Sequence, residues 1–323
     1  MRRWGLRAIG IIGVAFIGIV ISNLSLFAPA PKGEINILSH RGVHQTFHRE
    51  GLTNTTCTAE RIYPPTHDFL ENTIPSIAAA FEFGADIVEI DIIPTRDGEF
   101  AVFHDWTVDC RTNGTGRTID HSLAELKALD IGYGYTADGG VTYPFRGTGT
   151  GMVPSLREVL QTFPDKRFLI NVKGNQSSHA ERLSAYFSGD EHQQIGRLQL
   201  FSGPRFALRW RELGTRLLVG TKPDTKICAK DYFLTGWFGR VSQACKSFGL
   251  AVPQNVSWLY WGWPHRTVER LERRDMRVVL IGSLNGYTDG IDTLEQVDKI
   301  PHDYRGWVVT NRIEVVGLAL NND

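Results

Sequence analysis

Two carboxylates and two histidines have the types and spacing needed to bind a cation and to transfer protons. Glu89 and Asp91 stand two positions apart in the run VEIDII, so in a strand both side chains point to the same side. Like charges this close disfavour each other's ionisation unless a cation lies between them, and hard divalent cations take such oxygen ligands. A salt-bridged pair that faces solvent is the alternative left open by these two residues alone.

The two histidines each end an apolar run at the point where a loop begins. The runs ILSHRG and AVFHD contain His40-Arg41 and His104-Asp105. Near neutral pH an imidazole can take a proton and an imidazolium can give one, so two histidines across a phosphate supply both transfers. A guanidinium such as that of Arg41 can hold phosphate oxygens. We expect these side chains to meet the two carboxylates around a single ion.

From Glu34 onward, short β-branched runs alternate with helical patterns, which predicts a mostly parallel sheet. Eight candidate strands favour a closed (β/α)8 TIM barrel, and an open doubly wound sheet is the alternative. In a barrel the predicted site would lie at the carboxyl ends of the strands. The candidate strands are Ile35–Ser39, Asp86–Asp91, Phe100–Phe103, Arg167–Val172, Leu198–Phe201, Arg216–Val219, Arg277–Ile281 and Gly306–Thr310. The candidate helices are Thr73–Phe83, Ser122–Ala128, Ser155–Phe163, Ser178–Phe187, Pro204–Glu212 and Arg266–Arg274.

Three connections depart from this alternation. The stretch between Asp91 and Phe100 is too short for a helical crossover, and its Asp97-Gly98 turn predicts a hairpin-like excursion. Two long insertions, at residues 42–70 and 132–153, lack strong periodicity. Long loops in a compact domain are commonly functional.

The N-terminal segment has a different composition from the rest. Three arginines stand in its first seven residues, and no charge follows from Ala8 to Pro31. A helix over Ala8–Phe27 is long enough to cross the hydrocarbon layer with its arginine end in the cytoplasm. A signal peptide cleaved near Ala28-Pro29-Ala30 is the alternative. Both interpretations predict an N-terminal segment at 1–31 and a barrel domain at 34–323 on the periplasmic side of the cell envelope. The first also makes the membrane a partner.

The cysteines agree with an oxidising compartment. Four cysteines allow three disulfide pairings. No two of these cysteines have the sequence spacing of a metal-binding motif. We favour Cys57–Cys110, which ties the first insertion to the segment after His104, and Cys228–Cys245, which closes a short loop. Four free buried thiols are the alternative.

The overall composition is that of a folded globular chain. It has 323 residues, of which 42% are hydrophobic and 22% charged. Lys and Arg together number 35, as do Asp and Glu, so there is no basic excess of the kind that nucleic-acid binding needs.

In order and spacing, the motifs resemble the glycerophosphodiester phosphodiesterase family. The similarity is dense from Ile37 to Lys173 and thinner afterwards. Two departures stand out, since Asn171 takes the place of a common glutamate and Asn311 that of a common aspartate. The motifs that carry the resemblance are HRG at 40–42, ENT at 71–73, EID at 89–91, TRDG at 95–98, FHD at 103–105 and VPSLREVL at 153–160.

The resemblance implies a TIM barrel that hydrolyses glycerophosphodiesters to sn-glycerol 3-phosphate and an alcohol with one divalent cation, Ca²⁺ or Mg²⁺. It implies an acid–base pair, two phosphate-binding cations, three metal ligands and three supporting residues. Glu71 and Asn72, two of the supporting residues, would support His40, or could instead begin the helix that follows. The acid–base pair would be His40 and His104, and the phosphate-binding residues Arg41 and Lys173. The metal ligands would be Glu89, Asp91 and Asn171, and the supporting residues Glu71, Asn72 and Asp105.

Two other functions stay open. The aromatic run VSWLYWGW at 256–263 could pack in the core, or could form a platform for a phospholipase D-like enzyme acting on lysophospholipids. The neutral Asn171 would also suit a barrel that binds phosphodiesters without cleaving them. The remaining histidines that we assign to loops or the surface are His44, His48, His67 and His121.

Overall fold

A computed structural model describes residues 2–25, 28–29, 32–53, 55–188, 196–284 and 289–321. Part of the predicted cleavage site, Ala30, lies outside these ranges. The strands are β1 Asn36–His40, β2 Ile87–Pro94, β3 Phe100–Val102, β4 Arg167–Val172, β5 Leu198–Phe201, β6 Val219–Gly220, β7 Leu250–Pro253, β8 Val278–Ile281 and β9 Trp307–Thr310. The α-helices are α1 Arg2–Asn23, α2 Ile74–Glu82, α3 Leu123–Ala128, α4 Leu156–Thr162, α5 Ser177–Tyr186, α6 Pro204–Glu212, α7 Lys222–Thr235, α8 His265–Glu272, α9 Leu294–Asp298 and α10 Ile313–Asn321.

Contacts between residues divide the chain into two compact units. The first unit comprises residues 1–36, 222–291 and 295–308, and the second comprises 37–221, 292–294 and 309–323. Every residue assigned to the predicted site belongs to the second unit. The boundary predicted between residues 31 and 34 stays a prediction.

The second unit is built on a parallel sheet with the strand order β6-β5-β4-β2-β1. β2 is buried along all eight of its residues, as expected of a strand covered on both faces. Its apolar side chains Val88, Ile90 and Ile92 lie in the core, which leaves Glu89 and Asp91 on the opposite side. The alternation predicted for these five residues is confirmed.

The predicted hairpin-like excursion is also confirmed. β3 pairs antiparallel with the end of β2, so that Pro94 lies opposite Phe100. The turn between them needs Gly98, whose φ of 94° lies in the region that favours glycine. The Asp97 carboxylate accepts a hydrogen bond from Thr95 Oγ1 at 2.5 Å and closes the turn. This excursion carries the chain to His104.

In the first unit, β7, β8 and the first two residues of β9 pair in parallel. The prediction of eight barrel strands had counted β3, which is antiparallel, and had missed β7, a four-residue run that ends in a proline. It had also missed α7. That helix buries Cys228 and Tyr232 but exposes Ile227, Phe233 and Leu234, so its apolar residues do not follow one face.

Both favoured disulfides are present. Cys57 is bonded to Cys110 in the second unit, and Cys228 to Cys245 in the first. The alternative of free thiols is wrong, because all four cysteines are paired.

The N-terminal segment forms α1, but the predicted spanning helix is not confirmed. Among the residues covered by the structure, no helix combines the length and the apolar character needed to cross a membrane.

Candidate active site

Strand register brings the predicted site residues together. His40, at the end of β1, lies opposite Glu89 on β2, and Asp91 lies opposite Asn171 on β4. The backbone NH of Phe103 donates to the carbonyl of Asp91 at 3.0 Å, which places the neighbouring histidine beside the same strand. Parallel pairing with short loops therefore gathers motifs that are far apart in the chain.

The first histidine is held by an amide that the sequence had not assigned to the site. His40 Nδ1 lies 2.8 Å from Asn311 Oδ1. The orientation of Asn311 is set by Asp292, which accepts from its backbone NH at 2.6 Å and from its Nδ2 at 2.9 Å. Because Nδ2 is used in this way, Asn311 presents its oxygen to the imidazole, and His40 carries its proton on Nδ1.

The second histidine is held by a carboxylate. His104 Nδ1 donates to Asp105 Oδ1 at 2.6 Å, and Arg111 Nε donates to Asp105 Oδ2 at 2.7 Å. About 28% of the His104 side chain and 32% of that of His40 are exposed, so both rings can meet a ligand. Burial lowers the pKa of each imidazole, and the positive charge of Arg41 lowers it further. Both histidines are therefore neutral at neutral pH.

Asp91 is the most heavily paired residue of the site. Its Oδ1 lies 2.9 Å from Lys173 Nζ, and its Oδ2 lies 3.2 Å from Arg41 Nε. The side-chain amides of Asn171 and Asn72 donate to the same two oxygens at 2.9 and 3.1 Å. Burial alone would raise the pKa of Asp91, but Lys173 and Arg41 hold it well below its usual range.

Glu89 is buried without such neutralisation. Within the described part of the chain no Lys or Arg side chain forms an ion pair with it, and the neutral ring of His40 lies near it, with Nε2 at 3.8 Å. It accepts a hydrogen bond from the backbone NH of Arg41 at 3.2 Å. Burial, followed by the charge of Asp91, raises the pKa of Glu89 to about 8.

The supporting residues Glu71 and Asn72 do not begin helix α2. Thr73 caps that helix through a hydrogen bond from the Ser76 backbone NH. Asn72, with a φ of 60°, holds Asp91 from both ends of its amide, since its Oδ1 also accepts from the backbone NH of Asp91 at 3.0 Å. Glu71 lies 3.0 Å from Arg41 Nη1, so both side chains support the strand-end cluster rather than His40.

The oxygen atoms of this cluster suit a hard divalent cation. Glu89 is a buried carboxylate that lacks a side-chain cation of its own, which is the situation that a bound metal relieves. Because Asn171 donates its NH2 to Asp91, its amide oxygen remains to act as a ligand. Glu89, Asp91 and Asn171 would hold the ion, although in the described ranges no three His, Cys, Asp or Glu side chains cluster as a metal site.

Four residues of the site or its surroundings were missed. Asn311 follows a predicted strand and takes the place of an aspartate common in the resembled family, and these were the sequence signals for it. Asp292 and Arg111 lie in loops and carry no local signal. His44 was assigned to a loop or the surface, and this was wrong because it is 2% exposed and packs edge-on against His40 with ring centroids 5.7 Å apart.

The pairing of Asp105 predicts a pH-dependent contribution to stability. Burial would raise the pKa of Asp105, but Arg111 and the hydrogen bond from His104 hold it below its usual range. The folded state then binds fewer protons than the unfolded state. Stability from this group is therefore present above the ordinary aspartate pKa of about 4 and is lost as the pH falls below it.

We expect the free energy of unfolding of Asp105→Asn to lie on the order of 1–3 kcal/mol below wild type at pH 6, with a smaller gap at pH 3. Urea unfolding across this range measures it. Asp120→Asn, at a side chain that is 60% exposed, is the matched control and should track wild type. A constant gap between Asp105→Asn and wild type at every pH would contradict the expectation.

Comparison with known proteins finds a family that resembles this part of the chain. A model of the Glycerophosphoryl diester phosphodiesterase family matches residues 40–190, a range that contains both histidines and the three predicted oxygen ligands. A glycerophosphodiester phosphodiesterase of Caldanaerobacter subterraneus subsp. tengcongensis is 41% identical over 103 residues, which are 32% of this chain and 39% of the relative. One from Bacillus subtilis is 32% identical over 201 residues, 61% of each chain. The matches thus span less than two thirds of either relative's length.

Solved structures agree with the fold. A glycerophosphodiester phosphodiesterase from Agrobacterium tumefaciens has a TM-score of 0.57 at 20% identity, covering 90% of this chain and all of the other. A phosphodiesterase from Oleispira antarctica, solved with its product sn-glycerol-3-phosphate, has a TM-score of 0.54 at 18% identity over 92% of this chain and 96% of that one. At such identities the likeness shows a TIM-barrel-like fold. Taken with the matched motifs, these likenesses show that residues 40–190 of this chain are similar to the glycerophosphodiester phosphodiesterase family.

Proposed function

We propose that this protein is a phosphoric diester hydrolase that releases sn-glycerol 3-phosphate and an alcohol from glycerophosphodiesters. The observation that carries the proposal is the pair of partly exposed imidazoles, each held through Nδ1, beside the Arg41–Asp91–Lys173 cluster. Holding Nδ1 leaves Nε2 of both rings to exchange protons with a substrate. The similarity to this family supports the same substrate class.

His40 is the proton acceptor in this proposal. Its Nδ1 is bonded to the neutral amide of Asn311, and its pKa lies well below the usual value, so Nε2 carries a lone pair at neutral pH. It takes the proton of the attacking hydroxyl, which is either the neighbouring glycerol hydroxyl or a water molecule. As that oxygen forms its bond to phosphorus, the bond to the alcohol oxygen breaks.

His104 is the proton donor to the leaving alcohol. The carboxylate of Asp105 stabilises a positively charged ring far better than an amide does, which favours loading His104 with a proton when the anionic substrate is bound. Donation from Nε2 neutralises the alkoxide that would otherwise leave. If the first step forms a cyclic phosphate, water opens it with the two histidines in exchanged roles.

Arg41 and Lys173 bind the phosphate oxygens. Both now neutralise Asp91, and both are close enough to His104 that their charges act on its pKa. They are thus placed to stabilise negative charge that develops on the phosphoryl group. A divalent cation held by Glu89, Asp91 and Asn171 would supply Lewis-acid polarisation of the phosphate when bound.

We also propose that the protein works on the periplasmic side of the envelope, with α1 joining it to the membrane. The two disulfides support localisation in an oxidising compartment, and the uncharged stretch from Ala8 to Pro31 supports localisation in the cell envelope. Fractionation of cells that express the full chain, with alkaline extraction of their membranes, tests both. Recovery in the cytoplasmic fraction would contradict the proposal.

A panel of phosphodiesters tests the activity. We expect sn-glycerol 3-phosphate to be released from glycerophosphocholine and glycerophosphoethanolamine, measured by a coupled glycerol-3-phosphate assay. Lysophosphatidylcholine is the comparison substrate, and its preferential cleavage would indicate a phospholipase D-like enzyme instead. Binding of glycerophosphocholine without turnover by the folded protein, in the presence of Ca²⁺ or Mg²⁺, would indicate a binding barrel.

A further inference from the structure

The Cys57–Cys110 disulfide joins two chain segments directly beside a buried arginine. Cys110 precedes Arg111, and Cys57 precedes Thr58. Arg111 Nη2 donates to Thr58 Oγ1 at 2.8 Å. The residues that follow the two cysteines are therefore joined by a hydrogen bond, next to the disulfide that joins the cysteines themselves. The disulfide and the hydrogen bond together fix where the Arg111 side chain starts and where one end of its guanidinium lies.

Arg111 is bonded on every side. Its Nε donates to Asp105 at 2.7 Å, its Nη1 lies 3.1 Å from Glu71 Oε2, and Nη1 also donates to the hydroxyl of Tyr135. Only 3% of its side chain is exposed. A planar guanidinium that satisfies several partners in fixed directions restrains all of them at once.

Two of these partners lead directly to the proposed catalytic and binding groups. Asp105 holds His104 Nδ1, and Glu71 holds Arg41 Nη1 at 3.0 Å. Arg111 is therefore linked to the proposed proton donor His104 through the Asp105 carboxylate, and to the proposed phosphate-binding Arg41 through the Glu71 carboxylate. A shift of Arg111 would move both.

Little regular secondary structure fixes this region otherwise. Between β3 and the short helical turn at Thr118–Asp120 the chain forms turns and bends with one isolated bridge, Thr107 to Arg117. The insertion that holds Cys57 forms one helical turn at Ala59–Arg61 and one isolated bridge, Phe47 to Ile62. Loops without strand or helix pairing have the lowest local stability in a fold. The disulfide is the covalent restraint between these two loops.

We propose that the Cys57–Cys110 disulfide acts, through Arg111, as a positioning device for His104 and Arg41. This inference rests on the proposed hydrolase activity and assigns Arg111 the part of a positioning residue. Turnover then depends on the oxidation state of this one disulfide. The Cys228–Cys245 disulfide, in the other unit, has no such role.

The test compares Cys57→Ser/Cys110→Ser with the matched control Cys228→Ser/Cys245→Ser. Both variants lose one cross-link and some stability, so activity is measured well below the melting temperature of either. We expect kcat for glycerophosphocholine to fall about 10- to 100-fold in the first variant, since small misplacement of a reacting group costs this much, and KM to rise because the phosphate-binding Arg41 is displaced as well. The control should keep its kcat.

A double-mutant cycle distinguishes a specific displacement of Arg111 from a general loss of stability. Thr58→Val should lower kcat in the wild-type background but cause no further loss in Cys57→Ser/Cys110→Ser, because both changes release the same guanidinium. Arg111→Lys keeps the charge, but a single ammonium group cannot reach the four partners that the planar guanidinium holds, so we expect its kcat to fall as in the disulfide variant. Equal losses in the two disulfide variants, or additive effects of Thr58→Val, would overturn the inference.

A measurement independent of turnover keeps this inference distinct from the proposed function. Hydrogen exchange of residues 104–116, read by mass spectrometry, should speed up in Cys57→Ser/Cys110→Ser and not in the control. If the wild-type protein cleaves no glycerophosphodiester, the proposed function fails. Unchanged exchange in this segment would refute the positioning role whether or not the protein is active.

Discussion

We expect His104→Ala to lower kcat for glycerophosphocholine by about 10²–10⁴-fold, the range typical of a lost acid–base group. KM should change little, because Arg41 and Lys173 remain to bind the phosphate. The ring is 28% exposed and its Nδ1 is held by Asp105, so its loss removes a proton donor without opening the core. Circular dichroism and thermal unfolding of the variant check that the fold is intact.

Substrates with different leaving groups distinguish the proposed proton donor, His104, from the proposed proton acceptor, His40. A p-nitrophenyl ester of glycerol phosphate releases an anion that needs no proton, so His104→Ala should be far less damaging with this substrate than with glycerophosphocholine. His40→Ala should impair both substrates alike, because deprotonation of the attacking hydroxyl does not depend on the leaving group. The opposite pattern would exchange the two assignments.

An exposed histidine provides the control for these variants. His302, whose side chain is 99% exposed, can be replaced by Ala without affecting any of the contacts described for the site. His302→Ala should match wild type with both substrates. Near-normal turnover of glycerophosphocholine by folded His104→Ala would remove this residue from the mechanism.

What the sequence could predict of this site follows from local rules. Strand alternation alone places Glu89 and Asp91 on one side of β2 and Val88, Ile90 and Ile92 on the other. The end of β1 places His40 opposite Glu89, and the hairpin after β2 returns the chain to His104. These rules act over a few residues, so a single sequence contains them in full. The fold type and the hairpin after β2 follow from the same kind of pattern.

The parts that escaped prediction are contacts across long stretches of chain. Asn311 lies 271 residues from His40, and no periodic pattern links a loop asparagine to a distant imidazole. Arg111 is ordinary in its local sequence and acquires a role only where three loops meet. The helix α7 was missed for the opposite reason, because its packing overrides a weak apolar pattern.

The charge state of the two strand carboxylates was beyond sequence reasoning as well. These two carboxylates differ because Lys173 and Arg41 both form ion pairs with Asp91, whereas among the described residues no Lys or Arg forms one with Glu89. Which carboxylate a cation contacts depends on where β4 and the loop after β1 place those side chains. That difference makes Glu89 the residue most sensitive to a bound metal.

Removal of divalent cations is therefore expected to reduce hydrolysis to the uncatalysed background. Dialysis against EDTA should abolish release of sn-glycerol 3-phosphate, and either Ca²⁺ or Mg²⁺ should restore it. In the cation-free protein the pKa of Glu89 is raised to about 8, so a proton competes with the ion, and the affinity for the cation should increase as the pH rises towards 8. Calorimetric titration with the metal alone measures this affinity without reference to turnover.

Substitutions at the ligands should change cation affinity in opposite directions. Glu89→Gln removes a charged ligand and should weaken binding by at least about tenfold, whereas Asn171→Asp adds one and should strengthen it. Glu295→Gln, at a side chain that is 79% exposed, is the matched control. Full activity after exhaustive chelation, or cation affinities unaffected by both ligand substitutions, would mean that the buried charge of Glu89 serves the substrate itself, because the residue would then have no ion to hold.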